Sequence, residues 1–279
     1  ELNYSKYKEY IHFGLTSQDI NSVCNMISLK DCNTKVMIPR ITELLFYVEK
    51  IVLKYAEVPM LSRTHGQPAS PTSLGKEFDV FRDRIHKQFK KLINFEYSTK
   101  FGGAVGNFNS HVVAYPEVDW PNFADIFINK CFQLQRNKYT TQIDIYDNYS
   151  ELFDILKRLS TVMLDMTRDI WLYIMLEYFK QKCVDGEVGS STMPHKINPI
   201  NFENAEGNLM LAITMLEFMS RKLPVSRLQR DLTDSTVLRN IGTCYGYLLI
   251  GIKSLCKGFE KIEPNLEKIK ENLNKNSIV

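Results

Sequence analysis

The sequence predicts an all-α protein, an elongated bundle of long helices, and three observations carry that prediction. Apolar residues recur at three-or-four spacing along most of the chain, strict period-two alternation is scarce, and neither Gly nor Pro occurs from Tyr146 to Phe179. The 279 residues exceed one average domain of ~100–150 residues, and 44% hydrophobic with 24% charged residues is the composition of a chain that buries a large core. Disorder, collagen-like repeats and small disulfide scaffolds are excluded.

In chain order, a first helix starts where Thr16 and Asp19 form a capping box and ends near Asn33. A second carries Ile38, Ile41, Leu45, Val48 and Val52 on one face up to Pro59. A polar loop follows from Ser62 to Ser70, after which Pro71 suits the first turn of a helix. Its stripe, Leu74, Phe78, Phe81, Ile85, Phe89 and Leu92, gives a rod of roughly 40 Å. Glycines 102, 103 and 106 break the pattern, Pro116 and Pro121 frame a short helix, and a polar stretch runs through Thr141. The longest rod spans Tyr146 to Phe179, with Leu152, Ile155, Leu159, Val162, Met166, Ile170 and Ile174 in register over ~50 Å. After a Gly/Pro-rich loop, Asp185 to Pro199, come a helix from Asn201 to Leu223 and a last long one from Asp234 to Phe259. In the latter, Gly242 and Gly246 lie one turn apart and allow close approach of another backbone. Rods with this much apolar face predict a homo-oligomer.

Lys+Arg 35 against Asp+Glu 32, a formal charge of +3 spread evenly, argues against nucleic acid or an anionic membrane as partner. No apolar run reaches the ~18–20 residues of a membrane span. Six cysteines without CxxC or Cys/His spacing predict reduced thiols in a cytoplasmic protein rather than disulfides or zinc.

Polar islands interrupt the rods, and loops on rigid scaffolds are where sites are built. LTSQDIN occupies 15–21, RTHGQPASPTSLGKE 63–77 and GEVGSSTMPHKINPINFENAEGN 186–208. His65, with little apolar mass nearby, is either a titrating catalytic group or a surface-loop histidine. The third island sets Gly and Ser beside Lys196, then Asn198, Glu203 and Glu206. Such a loop closes over an anionic substrate or is a solvated linker. Ser190 or Ser191 could act as a base only where Lys196, backbone N–H groups or a helix N-terminus stabilise the alkoxide. No GxSxG, Walker or dinucleotide-binding pattern is present. A fourth patch, SRLQRDLTDSTVLRN at 226–240, offers Arg230, Ser235 and Arg239 as a phosphate or carboxylate cradle, unless the arginines simply pair with Asp231 or Asp234.

Taken together, TSQDIN, RTHGQPASPTSLGKE, GAVGN, GSSTMPHKINP and LPVSRLQRDLTDSTVLRN resemble the ordered signature of the fumarase/aspartase superfamily, in its bacterial-like adenylosuccinate lyase branch. The resemblance implies elimination of fumarate from adenylosuccinate to give AMP, and from the succinyl-carboxamide ribotide of purine synthesis, without metal or organic cofactor. It implies Ser190 as the general base, His65 as the general acid and Glu203 as the carboxylate that pairs with that histidine. Thr16, Ser17, Thr64, Gln142, Lys196 and Asn198 would hold the carboxylates and the carbanion-like intermediate, and Arg230, Ser235 and Arg239 the nucleotide phosphate.

The same resemblance implies a homotetramer with active sites shared between subunits. It places a central long-helix domain over 1–260 and the start of a C-terminal helical domain over 261–279, with an N-terminal domain preceding Glu1 and the C-terminal one extending beyond Val279. Two rival readings follow from the same motifs. Another superfamily member, such as argininosuccinate lyase, would need no phosphate cradle, and a noncatalytic structural homologue would not need Ser190, His65 and Glu203.

Overall fold

The computed structural model describes residues 4–182 and 197–276, and α-helix dominates both stretches. Helix α1 (Ser17–Cys32) opens on Thr16, whose N–H donates to Asp19 Oδ2 at 2.8 Å, the carboxylate half of a capping box. The helical run does not stop at Asn33. A π-helical turn, Asn33–Met37, carries it into α2 (Ile38–Lys54). Pro39 accounts for the widened turn, because its ring would collide with the carbonyl four residues back and it has no N–H to offer. Helix α2 buries Ile41, Leu45, Val48 and Val52 as the spacing predicts, together with Leu44 and Ile51.

The 62–70 segment is a β-hairpin, not a loop. Strands β1 (Pro59–Thr64) and β2 (Gln67–Ser73) pair antiparallel and close through the two-residue turn His65–Gly66, with φ of 55° and 76°. Two left-handed residues make the turn whose twist matches paired strands. Pro71 lies opposite Leu61 in β2 instead of opening a helix. Helix α3 (Leu74–Ile93) therefore begins later than predicted, yet all six residues of its apolar stripe are buried. Gly75 lets it approach α2: a Cβ there would sit 2.6 Å from Ala56 Cα.

Strand β3 (Ser98–Thr99) precedes the glycine segment, and helices α4 (Asn109–Ala114) and α5 (Trp120–Phe132) follow it. Pro121 opens α5 rather than closing a helix, and the Asp119 side chain accepts from Asn122 N–H at 3.2 Å to cap it. Strand β4 (Gln135–Arg136) pairs parallel with β3. The long rod is α6 (Asp147–Met175), four residues short of Phe179, which lies in strand β5 (Phe179–Gln181). Helix α7 (Ile200–Lys222) matches its prediction. The last predicted helix is two: α8 (Thr233–Leu238) and α9 (Ile241–Lys261), separated by a turn at Arg239–Asn240. Strand β6 (Ile262–Pro264), which pairs with β5, and helix α10 (Leu266–Lys275) complete the described chain.

The chain divides into two compact units, each drawing on three segments. The first comprises Glu1–Val36, Asn94–Asp154 and Glu217–Ile241; the second comprises Met37–Ile93, Ile155–Leu216 and Gly242–Val279. The first centres on Met26, Ile128, Tyr149, Leu152 and Phe153, all without solvent exposure. In the second, Leu156, Leu159, Met163 and Met166 of α6 are fully buried, as are Leu209, Leu248 and Leu255. Tight glycine packing in α9 falls at Gly251 and Gly258, where a Cβ would meet Leu209 at 2.9 Å and Phe202 at 2.7 Å. Around Gly242 and Gly246, no described atom of this chain lies that near. Among the described residues no helix is long and apolar enough to cross a membrane, and Cys24, Cys32, Cys131, Cys244 and Cys256 are free thiols.

Candidate active site

In the first unit, the start of α1 is tied to the glycine segment by one fully buried carboxylate. Asp19 accepts from Thr16 N–H, from Lys100 Nζ at 2.7 Å, from Gly102 N–H at 2.8 Å and from Gly103 N–H at 3.2 Å. Both members of the Asp19–Lys100 pair are 0% exposed, and Lys100 Nζ donates a second bond to Gly103 O at 2.7 Å. Burial pulls the Lys100 ammonium below its usual range, and the bond and charge of Asp19 oppose that shift. The pair fixes where Thr16 and Ser17 sit relative to Gly103. His111, nearly buried, fills the space a side chain at Gly14 would occupy, which suits the left-handed backbone there (φ 65°). Burial also lowers the pKa of that imidazole.

The fourth polar patch folds against the segment that leads into α6. Arg230 Nη1 donates to Gln142 Oε1 at 3.3 Å, so two residues singled out on separate grounds meet. Asp231 is engaged by Arg227 at 2.8 Å and Asp234 by the Tyr146 hydroxyl at 2.8 Å. Arg230 is thus not consumed by either neighbouring aspartate. Ser235 N–H donates to Asp234 Oδ1 at 2.8 Å, and Arg239 is exposed just beyond α8. Between Gln142 and Tyr146, Asp144 is buried, and burial pushes its carboxyl up to about 6 despite bonds from Asn137 and the Ile145 N–H.

The second unit carries Thr64, His65, Asn198 and Glu203. Thr64 and His65 are exposed at the tip of the β1–β2 hairpin, which is braced by a bond from Arg63 Nη1 to Gly66 O at 3.1 Å and by Ser62 bonding Ser70 O. Glu203 lies in the first turn of α7 and accepts from Trp171 Nε1 at 3.2 Å; Glu206, one turn on, accepts from Arg168 Nε at 2.9 Å. Asn198 is exposed just ahead of that helix. Within this one chain the recorded partner of Glu203 is Trp171, not His65. Ser190, Ser191, His195 and Lys196 lie outside the described residues.

The geometry therefore joins Gln142 to Arg230 and seats Ser235 beside a restrained carboxylate, and it roots Thr16 and Ser17 on a buried ion pair. An arginine fork held against a carboxamide is the kind of donor set that can bind an oxyanion. Sequence reasoning missed Lys100, Asp144 and Tyr146. Nothing local in the sequence marks any of the three. No cluster of three or more metal-ligating side chains occurs among the described residues.

Two units of mainly helical structure, with polar islands grafted between the rods, define an all-α protein built on long helices. The chain belongs to the lyase family, whose model matches residues 3–213, and a second model, described as adenylosuccinate lyase C-terminal, matches residues 226–279. Among its relatives, the adenylosuccinate lyase of Escherichia coli (strain K12) is 48% identical over 268 residues, 96% of this chain and 59% of that one. The adenylosuccinate lyase of Dictyostelium discoideum is 49% identical over 280 residues, 99% of this chain and 60% of that one. The chain thus spans about three-fifths of these relatives' length. A solved structure, the 3-carboxy-cis,cis-muconate lactonizing enzyme from Pseudomonas putida, superposes with a TM-score of 0.83 at 20% identity, covering 98% of this chain and 60% of that one. At that identity the likeness speaks for the fold.

Proposed function

We propose that this chain carries the adenylosuccinate lyase reaction of purine nucleotide biosynthesis: elimination of fumarate from adenylosuccinate to give AMP, and from succinylaminoimidazole carboxamide ribotide to give the carboxamide ribotide. The observation that carries this reading is the 48% identity to relatives of that name along 96% of the chain. The contact of Arg230 with Gln142, in the same chain segment that carries Ser235, supports it, since a phosphorylated substrate needs a fixed cation and donors.

In the proposed chemistry Ser190 removes the proton from Cβ of the succinyl group, the electron pair moves to form the fumarate double bond, and the C–N bond breaks. His65 protonates the departing nitrogen, and Glu203 sets its tautomer. Thr16, Ser17, Thr64, Gln142, Lys196 and Asn198 hold the carboxylates, on one of which negative charge accumulates before the bond breaks. Arg230, Ser235 and Arg239 hold the phosphate. Metal and organic cofactors have no step here, because the leaving nitrogen is protonated by a side chain. The protein acts in the cytoplasm as a homotetramer, with sites completed by neighbouring copies, and with neither nucleic acid nor membrane as partner. The division into a central domain to about residue 260 and a C-terminal one beyond belongs to the same proposal.

The rival within the superfamily, a lyase for an unphosphorylated succinyl compound such as argininosuccinate, leaves the Arg230–Ser235–Arg239 set without a ligand. The noncatalytic reading leaves Ser190, His65 and Glu203 without a role. Fumarate release from the two succinylated nucleotides, followed by ultraviolet absorbance, tests all three readings. Release from both is expected; release only from argininosuccinate, or from nothing, overturns the proposal.

A further inference from the structure

The segment that enters α6 and the segment that enters α8 are joined by two rungs at matching intervals. Gln142 meets Arg230 at 3.3 Å, and four residues further along each strand of chain Tyr146 meets Asp234 at 2.8 Å. The second rung is the buried one: Tyr146 is 1% exposed and Asp234 3%. Tyr146 also holds a left-handed backbone, φ 60°, a conformation unfavourable for a residue with a Cβ and kept only where surrounding contacts demand it. Its ring stands edge-on to Tyr149 at 5.2 Å, which fixes the direction of the hydroxyl. On the far side, Asp234 uses its second oxygen to hold Ser235 N–H at 2.8 Å.

We infer that Tyr146 and Asp234 are positioning residues that preset the phosphate cradle formed by Arg230, Ser235 and Arg239. The inference rests on the reading of those three residues given above. An aspartate between two arginines competes with a phosphate for their guanidinium groups unless its oxygens are engaged elsewhere. Tyr146 O–H and Ser235 N–H engage one oxygen each, which leaves Arg230 turned to Gln142 and available to a ligand. Burial, reinforced by the Asp234 charge, holds the Tyr146 phenol far above its usual range, so it stays a donor at any working pH. The strained backbone is the means by which the chain aims that hydroxyl, since the turn of direction into α6 occurs at this residue.

The test compares a ligand that has a phosphate with one that has none. Tyr146→Phe keeps the ring and its packing on Tyr149 and deletes one hydrogen bond. In calorimetric titrations of the whole protein, AMP should bind at least fivefold more weakly to this variant, while fumarate affinity stays within twofold. In turnover the KM for adenylosuccinate should rise by a similar factor with kcat within threefold. Asp234→Ala, which frees both Tyr146 and Ser235, should show the same phosphate-selective loss and serves where Tyr146→Phe does not fold. A smaller AMP effect, or equal weakening of AMP and fumarate, overturns the inference and leaves the lyase reading intact. Failure of both variants to fold overturns it too, the pair then being only a structural tie. A wild-type protein that neither binds AMP nor releases fumarate overturns the reading and the inference together.

Discussion

Asp144 shows how a single buried group ties stability to pH. Its folded-state carboxyl, raised to about 6 by burial, binds its proton more tightly than in the unfolded chain, where an ordinary aspartate titrates near 4. The stabilisation is therefore present at low pH and is lost as pH rises through the folded value. Between pH 4.5 and 7 this one group should withdraw about 2 kcal/mol of stability. Urea unfolding of wild type and Asp144→Asn at the two pH values checks it: the variant should lack that loss, and identical pH slopes would refute the assignment. Lys100 presents the opposite case. Lys100→Met removes one partner of a fully buried pair and strands the Asp19 carboxylate, so unfolding free energy should fall by about 3 kcal/mol, toward the lower end of the range for broken buried pairs because three backbone N–H groups still serve Asp19. A loss under about 1 kcal/mol in denaturant titration would mean that the pair is not the tie described here. Neither residue was legible in the sequence. Lys100 lies 81 positions from Asp19 and Asp144 is distinguished only by what the fold packs around it, whereas Arg230 and Ser235 stood out because their chemistry is local and polar, and Gln142 entered only through the family resemblance.

At the scale of elements, hydrophobic spacing located the rods well and their ends poorly. The stripes of α2, α3 and α6 are buried largely as spaced, because each side chain on a helix reports its own face. What periodicity cannot register is a local exchange of geometry: the π turn forced by Pro39, the hairpin built from QPASPTS, or the turn at Arg239–Asn240 that splits one expected helix in two. The glycines of α9 show the same limit, since only the packed partner tells a close approach from an open face: within the described chain Gly251 and Gly258 meet neighbours, and Gly242 and Gly246 meet none. Gly258→Ala would place a methyl 2.7 Å from the ring of Phe202, itself 1% exposed, so it should destabilise by about 1–3 kcal/mol through overpacking. Gly242→Ala meets no described atom of the chain and should gain up to about 1 kcal/mol from helix propensity alone. Thermal unfolding of the two variants side by side separates the effects; equal shifts would mean that the Phe202 contact does not govern Gly258.

The whole molecule raises the question of how His65 and Glu203 could ever serve one site. Within this chain His65 stands exposed on a hairpin tip while Glu203 is bonded to Trp171, and large apolar side chains remain uncovered, among them Phe46 at 63%, Leu53 at 70% and Met175 at 58% exposure. Uncovered apolar surface of this kind is what copies of one chain bury against each other. The proposed tetramer, with His65 and Ser190 of each site supplied by different copies, makes a prediction that a self-contained subunit does not share. Whole proteins bearing His65→Gln or Ser190→Ala should each be nearly inactive, and each should rescue the other. When the two are dissociated and reassembled in equal amounts, a site draws an intact histidine half the time and an intact serine half the time. About a quarter of sites should then be whole, by random mixing in a symmetric homo-oligomer. Fumarate release should return to about that fraction of the wild-type rate, while a mixture of two differently tagged Ser190→Ala preparations should recover nothing, which separates complementation from mere refolding. If mixed tetramers verified by both tags stay inactive, both residues of a site come from one copy, and the hairpin tip must reach its own chain's Ser190.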